Sequence, residues 1–408
     1  MACTICATSS GRLLSVGLNA SPLVAPHTGV GRYILGLLRG LACLRGTGDF
    51  EVRALFAPAA ALTSSSEPRR SASAGAGLFP FARGVAKRLL FAYPLAQAVR
   101  AAALEVARMR GQIGVYHETN HAAPRSRAPV VLTVHDLSTL LMPETQERRR
   151  AAYFGRALRE HARDAARVIT PTQAIADQVV ELLGVARERV RAIHHGVDPG
   201  LLEGREGAAD RAGGETAAPP PALSALGVRG PYLLFVGALE PRKGLPSLLD
   251  AYDALPGALA RELPLVLAGP EERLDDALRF RLAARREGRL IRTGYVAPRE
   301  LHALYRGARA LCLPSLYEGF GLPLLEALAL GIPCLASDDP ALVEVAGGAA
   351  LHAPRGDAHA MARAIERLVS DPSLRAQLSG KGRSRAIGFT WEASARAHLE
   401  VYREAAAP

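Results

Sequence analysis

The chain has 408 residues, too long for one ordinary core and suited to two α/β domains. Its 49% hydrophobic and 22% charged residues are those of a soluble globular protein, and no run reaches the ~20 uninterrupted apolar residues of a membrane span. Only Lys87, Lys243 and Lys381 are lysines among 50 basic residues, an arginine bias typical of a GC-rich genome, so the formal +11 charge is not read as a nucleic-acid signature; no nucleic-acid module is recognisable.

In chain order, a strand is predicted at 13–18, a glycine turn at 27–31 and a helix from about Arg32. Ahead of them, Cys3 and Cys6 form a lone CxxC without a second pair, read as a frayed terminus rather than a zinc or redox site. β-type runs follow at 51–56, 113–117, 130–134, 168–170 and 190–194, with helical stretches at 145–166 and 172–183. Segment 79–110 interleaves Phe79, Phe81, Leu89, Leu90, Phe91 and Leu95 with Arg83, Lys87, Arg88, Arg100, Arg108 and Arg110. A basic helix with an apolar face can lie on a membrane surface. Pro94 is expected to kink or split it, and an ordinary surface helix is the simpler reading.

From 203 to 221 the composition shifts to Gly, Ala, Pro and charge, as in a linker. Strands then resume at 232–236, 265–268, 290–293, 310–313 and 333–336, with helices starting near 245, 273, 298 and 321. Alternation of this kind implies parallel sheets joined by crossovers. The reading is two Rossmann-like, doubly wound domains, 1–200 and 226–387, separated by a linker at 201–225. A ligand cleft lies between them. A last helical segment, 388–408, can pack back on the first domain. Cys312 and Cys334 sit in apolar runs and read as core; few cysteines, an odd count and no signal peptide point to the cytoplasm.

The strongest signal is SLYEGFGLPLLEALALGIP, residues 315–333. It follows an apolar strand, breaks at Gly319 and Gly321, and opens a helix with Pro323 in its first turn. Strand, glycine turn and helix N-terminus make an anion site, and glycines let backbone amides approach a ligand. Glu318 and Glu326 flank that turn, and carboxylates accept hydrogen bonds from vicinal diols. The simpler role for Glu326 is to complement the helix dipole. Arg242-Lys243, in the loop after strand 232–236, are two adjacent cations suited to a pyrophosphate. Gly29-Val30-Gly31 can wrap a diphosphate or an acceptor, but Ile34 stands where a dinucleotide fingerprint needs its third glycine. His135-Asp136 ends a strand, where parallel sheets line their crevice. The four-residue spacing of His117 and His121 and the adjacent His194-His195 lack a carboxylate cluster, so no metal is expected.

At these residues the chain resembles the retaining glycosyltransferase family 4, whose members adopt the GT-B fold. Glu318 to Glu326 matches its E-x7-E signature, and similarity continues through TGVGRYILGLL (28–38), LTVHDLSTLLMPE (132–144), VITPTQAIADQV (168–179), HHGVDP (194–199) and YLLFVGALEPRKGLPSLLDAY (232–252). The resemblance implies that Glu318 lies beside the donor sugar and Glu326 binds the nucleotide ribose. The amides around Gly319, Phe320 and Gly321 hold sugar hydroxyls. Leu322, Tyr295, Gly29 and Gly31 complete the donor-binding set, and His135 contacts the sugar near its reacting carbon. Many relatives carry an arginine five positions before Lys243; here Ala238 stands there, and Arg242 is expected to supply the guanidinium. This EPRK form resembles the subset using GDP-mannose. The implied partners are a nucleotide-sugar donor and a saccharide or lipid-linked acceptor, without a metal cofactor. Peripheral contact with the inner membrane face is a further expectation. The alternatives are a nucleotide-sugar epimerase or phosphorylase of the same fold, an inactive homologue serving as a binding subunit, and a membrane-surface scaffold.

Overall fold

The computed structural model of the protein describes residues 13–24, 28–45, 49–57, 92–146, 148–203, 221–225, 230–272, 274–284 and 289–407. The expectations for Cys3 and Cys6, for 79–91 and for most of the linker lie outside the described residues.

Six strands form the first sheet: β1 Leu14–Asn19, β2 Phe50–Leu55, β3 Val115–Glu118, β4 Val130–Thr133, β5 Arg167–Thr170 and β6 Val190–Ala192, in the order β2-β1-β3-β4-β5-β6. The second holds β7 Tyr232–Val236, β8 Leu265–Ala268, β9 Leu290–Gly294, β10 Ala308–Leu313, β11 Cys334–Ser337 and β12 Leu351–Ala353, in the order β12-β11-β10-β7-β8-β9. Every pairing is parallel. Helices cover both faces of such sheets, so the central strands are apolar throughout; all five residues of β7 are buried, whereas edge strand β2 keeps alternate residues accessible. The strand order reverses between β1 and β3 in one sheet and between β7 and β10 in the other. Ligands of doubly wound folds bind at those switch points, beyond the carboxyl ends of the strands.

Two expectations need correcting. The first helix is Gly29–Cys43, beginning at the glycines rather than after them: Thr28 is its N-cap, its hydroxyl accepting from the Gly31 N–H at 3.1 Å. In helix Ala92–Met109 Pro94 lies in the first turn of the described residues, where proline is tolerated, and the expected break towards 79–91 lies outside them. β6 stops at Ala192, leaving His194 and His195 to the crossover between domains.

The chain passes between domains twice, side by side. Val197 on the outward pass donates to the Phe389 carbonyl on the return at 2.9 Å. The final helix, Trp391–Ala406, then lies on the first helix, and Trp391, Ala395, Leu399 and Tyr402 join Tyr33, Leu37 and Leu41 in one core.

A candidate active site at the interdomain cleft

Strands β7 and β10 end side by side at the second switch point, bringing together two loops that lie far apart in sequence. After β7, the loop turns through the short 3-10 segment Pro241–Lys243. After β10 comes Ser315 to Gly321, then helix Leu322–Ala329. Gly321 occupies the left-handed region at φ +86°, where a side chain is strained, and it turns the chain into the helix. Lys243 Nζ donates to Glu318 Oε1 at 2.6 Å, the same oxygen that takes the Ser315 hydroxyl at 2.7 Å. Arg242 Nε pairs with Glu240 at 2.8 Å, and its Nη1 stands 3.5 Å from Glu318 Oε2. The two cations are therefore laced to buried carboxylates at the mouth of the fold.

Charges of opposite sign outweigh burial at Glu318, Arg242 and Asp136. Burial opposes ionisation of Glu318, yet Lys243 and Arg242 hold its carboxyl below the usual range. Arg242 is likewise desolvated, but Glu318, Asp136 and Glu240 raise its pKa. Asp136 belongs to the other domain. Despite burial, the fields of Arg242 and His121 and the hydrogen bonds of Ser138 bring it down to about 2. Asp339, which caps helix Pro340–Ala346 and accepts from the Glu318 N–H at 3.3 Å, is pushed up to about 6 by burial and by Glu318 itself.

The first domain presses directly on this loop. A side chain on Gly319 would overlap the carbonyl oxygen of His135 and come within 3.2 Å of the Asp136 Cβ. The glycine thus serves the meeting of domains, in addition to whatever amide approach it permits. Around that contact Thr172 Oγ1 donates to the Gly319 carbonyl at 3.0 Å, and the Tyr317 hydroxyl accepts from Leu137 N–H at 2.9 Å while donating to Gln178 at 2.7 Å. Glu344 of the second domain accepts from the Gln173 and Ala174 N–H groups at the start of helix Gln173–Leu183, at 2.8 and 3.0 Å, and from His194 at 2.8 Å.

His135 is oriented from behind. Its Nε2 lies 2.9 Å from the Thr119 carbonyl and so carries the proton. Burial and His121 lower its pKa to about 4, leaving a neutral ring whose Nδ1 is an acceptor. Edge-on against it, at 4.9 Å between centroids, lies the ring of Tyr33. Tyr33 belongs to a buried chain with one consistent set of protons. Tyr402 donates to His117 Nδ1 at 2.7 Å, His117 Nε2 to Thr133 at 2.7 Å, Thr133 to Tyr33 at 3.0 Å, Tyr33 to His398 Nε2 at 2.8 Å, and His398 Nδ1 to the Ser394 carbonyl at 2.7 Å. Burial lowers the pKa of both histidines, and with both neutral this is the set of donors that fits. His117 is therefore a structural residue, apart from His121, whose ring lies 6.4 Å from that of His135.

Glu326 forms a second pole. It is 3% exposed; its Oε2 accepts from the Tyr305 hydroxyl at 2.8 Å, and its Oε1 pairs with Arg32, on the first helix of the other domain. Tyr295 stands near this end, half-exposed and within the field of Arg32. Gly29 opens the first helix, with open space where its side chain would be. The Phe320 side chain does not face the donor loop: it is buried against His195, with ring centroids 4.7 Å apart, and only its backbone is left for a ligand. Leu322 packs its side chain on the core. Sequence reasoning assigned no role to Arg32, Tyr317 or Glu344, and it quoted Asp136 only as the neighbour of His135. All four act across the cleft, which no local pattern reports.

Two doubly wound domains close here on paired cations, buried carboxylates and helix N-termini, an arrangement suited to an anionic ligand. Comparison with known proteins agrees. The profile described as Glycosyltransferase Family 4 matches residues 27–201, and that described as Glycosyl transferases group 1 matches 224–385. O-antigen chain mannosyltransferase B of Escherichia coli is 30% identical over 390 residues, 94% of this chain and 97% of that protein. MMP alpha-(1->4)-mannosyltransferase of Mycolicibacterium hassiacum is 31% identical over 256 residues, 60% of this chain and 56% of that protein. Among solved structures, sucrose-phosphate synthase of Thermosynechococcus elongatus superposes with a TM-score of 0.62 at 19% identity, covering 96% of this chain and 99% of that one. Anabaena HepE, in complex with UDP and glucose, gives 0.59 at 16%, covering 95% and 99%; both share the fold. The chain belongs to glycosyltransferase family 4, with the two-domain GT-B architecture, and is similar to one mannosyltransferase over 94% of its length.

Proposed function

We propose that this glycosyltransferase moves a hexose, mannose by its relatives, from a nucleoside-diphosphate sugar to a saccharide or lipid-linked saccharide, with retention of anomeric configuration and without a metal ion. The observation that carries the reading is the Arg242–Lys243–Glu318 network at the β7/β10 switch point. A diphosphate entering there competes for both cations, which neutralise the charge that grows on the leaving group. Glu318, released from Lys243, is then free to accept from sugar hydroxyls. Paired cations and helix N-termini take the place of a divalent ion. His135, neutral and fixed by Thr119, offers a lone pair rather than a charge to the sugar.

Attack proceeds on the face the nucleotide leaves, with a donor phosphate oxygen taking the acceptor proton. Closure of the domains, held by Tyr317, Thr172 and Glu344, keeps water from the activated sugar. The test is transfer from GDP-, UDP-, ADP- and TDP-hexoses with and without EDTA, reading the new anomeric linkage by NMR. The expected product is α-linked, with a rate that EDTA leaves unchanged. An inverted product or loss of activity with EDTA refutes the corresponding clause.

Among the described residues no helix is long and apolar enough to cross a membrane. Helix Ala92–Met109 nevertheless exposes Val99, Val106 and Met109, which supports peripheral membrane contact at the cytoplasmic face. Sedimentation with anionic vesicles, lost on Val99→Asp and Val106→Asp, tests it.

A further inference from the structure

The cleft contains one cation that the transfer chemistry above does not use. Arg32 lies one turn into the first helix, just past Gly29 and Gly31, and reaches across the cleft to Glu326 in helix Leu322–Ala329. Glu326 thus has both oxygens engaged, one by Arg32 and one by the Tyr305 hydroxyl at 2.8 Å. A vicinal diol would have to compete with both of them for the roughly four lone-pair positions of the carboxylate.

The two ends of the pair differ in freedom. The Glu326 side chain is 5% accessible and fixed in its helix, whereas that of Arg32 is 33% accessible. The longer and more accessible arginine is the partner that can move when the pair opens. Arg32 also has somewhere to go. Asp198, on the same domain and 46% accessible, lies within its electrostatic reach; it accepts from the Gly200 N–H at 3.0 Å and stands 3.7 Å from Arg39.

We propose that Arg32 is a cross-domain positioning residue that occupies the ribose carboxylate Glu326 in the nucleotide-free enzyme, yields it to the incoming nucleoside diphosphate, and retakes it as product leaves. The arginine bridges the two domains across the cleft between turnovers, and it speeds release of the spent nucleotide by competing for its anchor. The proposal rests on the donor-site reading given above. It adds to that reading a residue of the opposite domain and a role in exchange rather than in transfer.

The test uses the full chain. Binding of GDP, UDP, ADP and TDP is measured by calorimetry, and whichever binds the wild type is carried to Arg32→Gln, Arg32→Lys, Glu326→Gln and the Arg32→Gln/Glu326→Gln double variant. Arg32→Gln is expected to bind that diphosphate about tenfold more tightly, since displacing a charged hydrogen bond is no longer part of binding. Its kcat and KM fall together as product release becomes limiting, and Arg32→Lys falls between. In the Glu326→Gln background, Arg32→Gln changes nothing further. A merely structural arginine would weaken binding and lower kcat with KM unchanged or raised. Equal or weaker binding by Arg32→Gln therefore overturns the proposal while leaving the donor site standing. If no nucleoside diphosphate binds the wild type, the donor-site reading fails and this inference fails with it.

Discussion

Replacing Gly319 by alanine tests whether the closed cleft is the working state. Gly319 is not among the residues at positive φ, so alanine fits its backbone and the substitution acts through space alone. The added carbon would overlap the His135 carbonyl oxygen and crowd Asp136, where a carbon–oxygen contact needs ~3.3 Å. The first domain must retreat by about 1 Å or more. Misplacement of ~1 Å is enough to cost on the order of 10²-fold in rate. That retreat also loosens the Thr172–Gly319 and Leu137–Tyr317 hydrogen bonds on either side. The assay is steady-state transfer at saturating donor, alongside diphosphate binding and thermal melting. The expected result is a fall in kcat of about two orders of magnitude, with a lower melting temperature as those cross-domain hydrogen bonds weaken. Wild-type turnover in Gly319→Ala would refute the claim that catalysis needs His135 and Gly319 in contact.

Lys243→Ala leaves Glu318 with only the 3.5 Å contact to Arg242 as its ion pair and should lower kcat by about 10²–10³-fold, checked by donor turnover; undiminished transfer removes Lys243 from the chemistry. Tyr317→Phe strands the buried Leu137 N–H and should cost about 1–3 kcal/mol, read as weaker diphosphate binding with a lower melting temperature, neither of which would change if the hydroxyl were idle. Acid should destabilise the fold as pH drops from the ordinary histidine range towards 4. His398, lowered to about 4 by burial, stays neutral in the fold while the unfolded chain takes the proton first, which amounts to roughly 3 kcal/mol lost across that window. Glu118, raised to about 7 by burial, and Asp339, raised to about 6, act in the opposite sense over the same range. The diagnostic is therefore a shallower slope of melting temperature against pH in His398→Gln, and an unaltered slope would show that the buried chain does not titrate this way.

The sequence by itself determined the fold class and pointed to the candidate donor site. Runs such as Tyr232–Val236 and Leu265–Ala268 are apolar throughout because parallel strands are covered on both faces, so alternation with helices was enough to read two doubly wound domains. Glu318, Gly319, Gly321 and Glu326 were legible because one strand–turn–helix carries them all, at a spacing set by local geometry. Arg242 and Lys243 were legible as adjacent cations after a strand, but their pairing with Glu318 was not, since 75 residues separate Lys243 from its partner.

Tertiary structure alone decided who faces whom. Arg32 on Glu326, Asp136 near Arg242, Glu344 on the Gln173 helix and Tyr317 on Leu137 each join residues from different domains, through charge or hydrogen bonds that leave no periodicity behind. His117 looked like half of a ligand pair and proved to be a link in a buried chain to the last helix, because its partner Tyr402 lies 285 residues away. Local patterns encode which element a residue belongs to; the meaning of a buried polar side chain depends on what closes over it, and that is settled only when the two domains meet.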